Sequence, residues 1–147
     1  MKIFEVALPT KAGVIPYFNG SNGIEMLFMI PSDPAYGGSD PQIAKGNVDD
    51  GETTQQAAMR EGKEELGLLQ SNVKLTTSVG TTVLTGLNET YNFSLFVAEV
   101  RNPRMLIGPH YETGKVLWLT IEEFKQTGRK EQLNFVQKAY QIINRLI

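Results

Sequence analysis

The stretch GNVDDGETTQQAAMREGKEELGL, Gly46 to Leu68, decides how the rest of this chain is read. It places six carboxylates and one arginine in a short loop and helix. Glu61, Glu64 and Glu65 fall at i, i+3 and i+4, so in a helix starting near Thr53 all three project from one face. Like charges at that spacing repel, and Arg60 and Lys63 do not balance them. An external cation is therefore expected. An oxygen-only donor set suits Mg²⁺, which is usually held by a few carboxylates together with substrate phosphates. Ahead of the helix, Asp49, Asp50 and Gly51 supply a turn, and Glu52 stands where a carboxylate favours the positive helix end. Thr53 or Thr54 is the expected N-cap.

The spacing says more than the charge. Gly46 is followed by Glu52, by Arg60-Glu61, by Glu64-Glu65 and then by Gly67-Leu68. The seven Gly, Glu and Arg matches among these arise by chance in about one window in 10⁸, whereas a solvated amphipathic helix would account for the composition alone. The pattern resembles the Nudix box, the signature of hydrolases that cleave a nucleoside diphosphate linked to another group. One position departs from it. Gly62 stands where the family has a bulky apolar residue, at a cost of about 1 kcal/mol to a helix interior. The expectation is that Met59 or Leu66 fills the space beside it.

Around this motif, the 147 residues are expected to form one domain with a single core. A net charge of −2, with 41% hydrophobic and 20% charged residues, gives no global basic field, so nucleic acid is not an expected partner. With no cysteine, neither a disulfide nor a zinc–thiolate site can hold the fold. The opening MKIFEVALPTKAGVIPYF is broken by Glu5, Pro9 and Lys11 before an export signal can form, and no run approaches a membrane span. A cytoplasmic protein, monomeric or homodimeric, is the expectation.

Ile3 to Leu8 and Ala12 to Phe18 read as strands, and NGSNG at 19–23 as the reversal of a hairpin leading into IEMLFMI. Pro31 to Pro41 is rich in turn residues and reads as a loop forming one wall of the site, with Tyr36 as a candidate for stacking on a base. Val73 to Leu84 reads as one or two strands, Gly86 to Thr90 as a turn, Tyr91 to Val100 as a central strand and Lys115 to Leu119 as another. IEEF opens a short helix. Gln132 to Leu146 follows as a longer one, whose face of Leu133, Val136, Ala139, Tyr140, Ile143 and Leu146 packs on the core or on a partner helix. Strands alternating with helices define an α/β domain.

The resemblance implies more than these patterns do. It implies the Nudix fold, a mixed β-sheet sandwiched between α-helices. It also implies an Mg²⁺-dependent hydrolase, with Mn²⁺ as an alternative ion, in which Glu61, Glu64, Glu65 and the Gly46 carbonyl hold the metal, Arg60 orients these carboxylates and Glu52 orients the loop. The Lys45-Gly46 pair, Ala98-Glu99-Val100, Glu112 six residues before Trp118, and WLTIEEF are similar to the diadenosine tetraphosphate hydrolase group. That similarity makes Glu112 a candidate general base or further metal ligand. Lys45, Tyr91 and His110 are candidate substrate contacts, although His110 also reads as an ordinary loop residue and Phe93 as core. The expected substrate is a dinucleoside polyphosphate, cleaved by water attack on phosphorus. The alternatives are a nucleoside triphosphate pyrophosphohydrolase and a non-catalytic nucleotide-binding sensor.

Overall fold

Residues of high β propensity on either side of two turn signals build the sheet around which everything else is arranged. The computed structural model describes residues 8–36, 38–86, 88–106 and 113–147. Strands β1 (Thr10–Gly20) and β2 (Gly23–Pro31) form the hairpin expected at NGSNG, with Gly20 opposite Gly23 across Ser21 and Asn22. β3 (Ala44–Asn47), β4 (Val73–Thr85), β5 (Thr90–Val100) and β6 (Thr113–Leu119) complete a six-stranded mixed sheet. Its order is β4-β5-β1-β2-β6, with β5 parallel to β1 and β3 paired to β1 off that path. The strand expected at Ile3 to Leu8 lies, apart from Leu8, outside the described residues.

β1 is long enough to change partners along its length, and this positions the site. Its second half pairs with β2, from Tyr17 opposite Met26 onward, while its first half pairs with β3, from Lys11 opposite Asn47 to Val14 opposite Ala44. The sheet therefore forks, and a single bridge between Met29 and Gln42, with reciprocal backbone hydrogen bonds of 2.9 Å, spans the fork at its vertex.

The two faces carry separate apolar clusters. Ala12, Val14, Leu27, Ala44, Phe96 and Ala98 pack against helix α1 (Thr54–Leu66). On the other face, Ile15, Met26, Phe28, Phe93, Leu95 and Val97 pack under α2 (Ile121–Thr127) and α3 (Leu133–Leu146). This is the sandwich the motif implied. On α3, Val136, Ala139 and Ile143 are buried and Leu133 and Tyr140 pack against the core, so the apolar stripe is core surface; only Leu146 at its end is exposed. Phe93 is core, as expected.

Helix α1 starts where the sequence placed it. Thr53 is the N-cap, and its hydroxyl accepts from Gln56 N while the Gln56 side chain accepts from Thr53 N, a reciprocal capping box. Gly67, at φ +73°, closes the helix through N–H bonds to the Gly62 and Lys63 carbonyls. The space beside Gly62 is filled, though not by Met59 or Leu66. A Cβ at that position would stand 2.7 Å from Val14 Cγ1 and 3.2 Å from Leu68 Cδ2. Here the apolar bulk comes from β1 and from the residue after the helix, and the glycine lets the two backbones approach.

Candidate active site

A cleft of about 660 Å³ opens in the fork between the end of β2 and β3, lined by Met29, Pro31, Gln42, Lys45, Gly46 and Glu61 among others. α1 supplies one wall. Its Glu61 carboxylate lies directly over the Gly46 backbone, where an added Cβ would stand 2.5 Å from both carboxylate oxygens. Glu65 accepts the Lys45 backbone N–H at 3.1 Å, so the motif helix is pinned to β3 by its own acid. Glu64 is the outermost of the three, with a side chain 54% exposed.

Arg60 organises the acids. Its Nε and Nη2 donate to the two oxygens of Glu52 at 2.9 and 3.1 Å, Nη1 donates to Glu61 at 2.6 Å, and Nη2 also donates to the Asn47 carbonyl at 2.9 Å. Glu64 lies 3.7 Å from Nη1. The planar guanidinium fork is suited to such multiple bonds. The hydrogen bond with Glu52 is the chief reason that the Arg60 guanidinium is held even more firmly protonated than usual. The same bond, with the Asp49 backbone N–H, holds the Glu52 carboxyl below the usual carboxylate range. Glu52 thus ties the Asp49–Gly51 turn to the helix.

Lys45, on β3, also lines the cleft. Burial pushes its ammonium down to about 8, assisted by the charges of Lys11 and Arg129 and opposed by Glu65 and Glu89. Tyr91 corrects an expectation. It is only 3% exposed, its ring meets Phe93 edge-on, and the Lys11 and Lys45 ammoniums stand 5.1 and 5.5 Å from its centroid. Burial raises its phenol to about 12. With no ring face open to a base, Tyr91 supports the two lysines through cation–π contact. Tyr36 closes a short 3-10 turn, Pro34–Tyr36, and its side chain is outside the described set. His110 and Glu112 also lie outside the described residues.

Among the described residues, no three His, Cys, Asp or Glu side chains gather closely enough to hold one ion. Glu61 and Glu64 incline to Arg60 while Glu65 turns to the Lys45 backbone. The donors nevertheless match a hard divalent cation in kind, being three carboxylates on one helix face beside the main chain of a glycine. Gly46→Ala tests that closeness. It should lower turnover at least about tenfold and raise the Mg²⁺ concentration needed for half-activity, with circular dichroism unchanged.

Three polar residues at this site were not anticipated from the sequence. Gln42, which lines the cleft, and Arg129 and Gln132 are buried together. RKEQ at 129–132 has the composition of a solvated turn, and no periodicity marks its first and last members as interior.

A family model for the NUDIX domain matches residues 8–139. The chain belongs to the NUDIX family of hydrolases. Among solved structures, a Caenorhabditis elegans Ap4A hydrolase binary complex is 22% identical with a TM-score of 0.77, covering 93% of this chain and 98% of that one. The NUDIX domain of Shewanella oneidensis NrtR, complexed with ADP ribose, is 12% identical with a TM-score of 0.78, covering 95% and 90%. RenU, a Nudix hydrolase from M. smegmatis, is 16% identical with a TM-score of 0.72, covering 97% and 89%. A sequence search of curated proteins gave no match. No helix among the described residues is long and apolar enough to cross a membrane.

Proposed function

We propose that the protein hydrolyses a dinucleoside polyphosphate of the diadenosine tetraphosphate kind, in a divalent-metal-dependent reaction. The observation that carries this reading is that one cleft is lined both by acids of α1 and by Lys45. A substrate with phosphates beyond those at the acidic wall has a cationic partner for them. Glu61, Glu64, Glu65 and the Gly46 carbonyl would hold Mg²⁺ or Mn²⁺. When bound, the ion supplies neutralisation of phosphate charge and lowers the pKa of water.

The chain's own residues do the remainder. Arg60, with Glu52 behind it, orients the carboxylates, and Lys45 draws the polyphosphate across the cleft. The water oxygen bonds to phosphorus as the bridging P–O bond breaks, and the water's proton passes to a carboxylate of this coupled set, for which Glu112 is a further candidate. With the tetraphosphate, the products are ATP and AMP.

Turnover of diadenosine tetraphosphate, a nucleoside triphosphate, ADP-ribose and a nucleotide sugar, with and without Mg²⁺, tests the reading. Metal-dependent release of ATP and AMP from the first is the expected result. Pyrophosphate released from the triphosphate alone would replace it with a pyrophosphohydrolase. Tight binding of ADP-ribose with no turnover of any compound would make the chain a binding domain.

A further inference from the structure

Behind the vertex of the fork lies a polar network that the chemistry above does not use. Arg129, in the turn between α2 and α3, is only 6% exposed. Its backbone N–H donates to the Pro41 carbonyl at 3.0 Å, its Nη1 donates to Gln42 Oε1 at 3.2 Å, and its Nη2 pairs with Glu131. Three residues on, Gln132 is fully buried, and its Oε1 accepts the Ile43 backbone N–H at 2.9 Å. Gln132 Nε2 has no hydrogen-bond partner among the described residues. A buried guanidinium and an unsatisfied buried amide are both costly, and apolar residues would pack here more cheaply.

What this network holds is the segment Pro41–Ile43. On its other side that segment is bridged to β2 through Met29 and Gln42, and it leads directly into β3, which carries Lys45 and Gly46. Gln42, 2% exposed, is thus gripped between β2 and the α2–α3 turn at the point from which the two cleft walls diverge. Lys45 stands three residues beyond Gln42, near the start of β3.

We propose that Arg129 is a positioning residue: by holding the Gln42 side chain at the vertex of the fork, it steadies the start of β3 and with it the placement of Lys45 in the cleft. This rests on the function proposed above only where its test names a substrate. Replacing the guanidinium removes the Nη1–Gln42 bond and loosens the start of β3, while the Met29 bridge and the bond from the Lys45 N–H to Glu65 remain.

Two measurements on Arg129→Met and Arg129→Lys test this. Amide hydrogen exchange at residues 42–46 should quicken about tenfold in Arg129→Met, with α1 amides unchanged. KM for diadenosine tetraphosphate should rise about tenfold with kcat within about threefold, and the preference over ADP-ribose should shrink. Arg129→Lys, which keeps the charge and loses the fork, should fall between wild type and Met and serves alone if Arg129→Met does not fold. Unchanged exchange at 42–46, or a KM unchanged despite faster exchange, would overturn the proposal. A wild type inert on every nucleotide would instead defeat the functional reading, and the exchange data would then decide the clamp by themselves.

Discussion

Glu65→Gln is expected to lower kcat by about 10³ at saturating Mg²⁺ while leaving the fold intact. The substitution is unusually specific here, because the Glu65 carboxylate has a structural duty separable from its charge. It accepts the Lys45 backbone N–H at 3.1 Å, and the carbonyl oxygen of glutamine can accept that same bond. The helix should therefore stay pinned to β3, with a melting temperature within a few degrees of wild type. What is lost is one negative charge at the acidic wall, and with it part of the affinity for a divalent cation. Initial rates over a range of Mg²⁺ concentrations check this, with thermal melts of the same samples. Turnover near wild type at high Mg²⁺ would remove Glu65 from the metal site. A collapsed melting temperature would show that glutamine fails to preserve the Lys45 bond.

The parts of this molecule that could be read from sequence are those encoded by local rules. The capping box at Thr53, the reversal at NGSNG and the i, i+3, i+4 acids each depend on residues within a few positions of one another, and each is in place. β3 shows the opposite case. Ala44-Lys45-Gly46-Asn47 has no β propensity to announce a strand, and it becomes one because the first half of β1, paired to β5 on one edge and left by β2 on the other, offers it a ladder. The Tyr91 expectation failed for a related reason. Alternation along Tyr91 to Val100 assigns residues to two faces without saying that both faces are covered, and α3 closes over the one that holds Tyr91. Arg129 and Gln132 escaped because their partners, Gln42 and Ile43, stand 87 and 89 residues away. The site's acidic helix is thus a local feature of the chain, and the strand beneath it is a product of topology.

Gly62 unites the two kinds of information, and Gly62→Val should be among the most damaging single changes in the domain. In an isolated helix, replacing this glycine would be favourable by a fraction of 1 kcal/mol, more for alanine than for valine. In the folded protein, the new Cβ would lie 2.7 Å from Val14 Cγ1, and valine adds two more methyl groups to a space already occupied by Val14 and Leu68. Overpacking of this kind costs about 1–3 kcal/mol, which exceeds the propensity gain. Val14 is fully buried in β1 and cannot swing aside into solvent. The helix must then lift from the sheet, carrying Glu61 away from Gly46 and Glu65 away from the Lys45 N–H, so activity should fall further than stability alone explains. Urea unfolding of Gly62→Val, Val14→Ala and the double variant measures the coupling. The double variant should regain at least about 1 kcal/mol relative to the sum of the single effects, since truncating Val14 makes room for the added methyls. Additive effects would mean that the helix and strand do not meet at this point as closely as the geometry states. Recovery of turnover in the double variant would tie the carboxylates' placement to the same contact, and so would connect the chain's one departure from the motif directly to its chemistry.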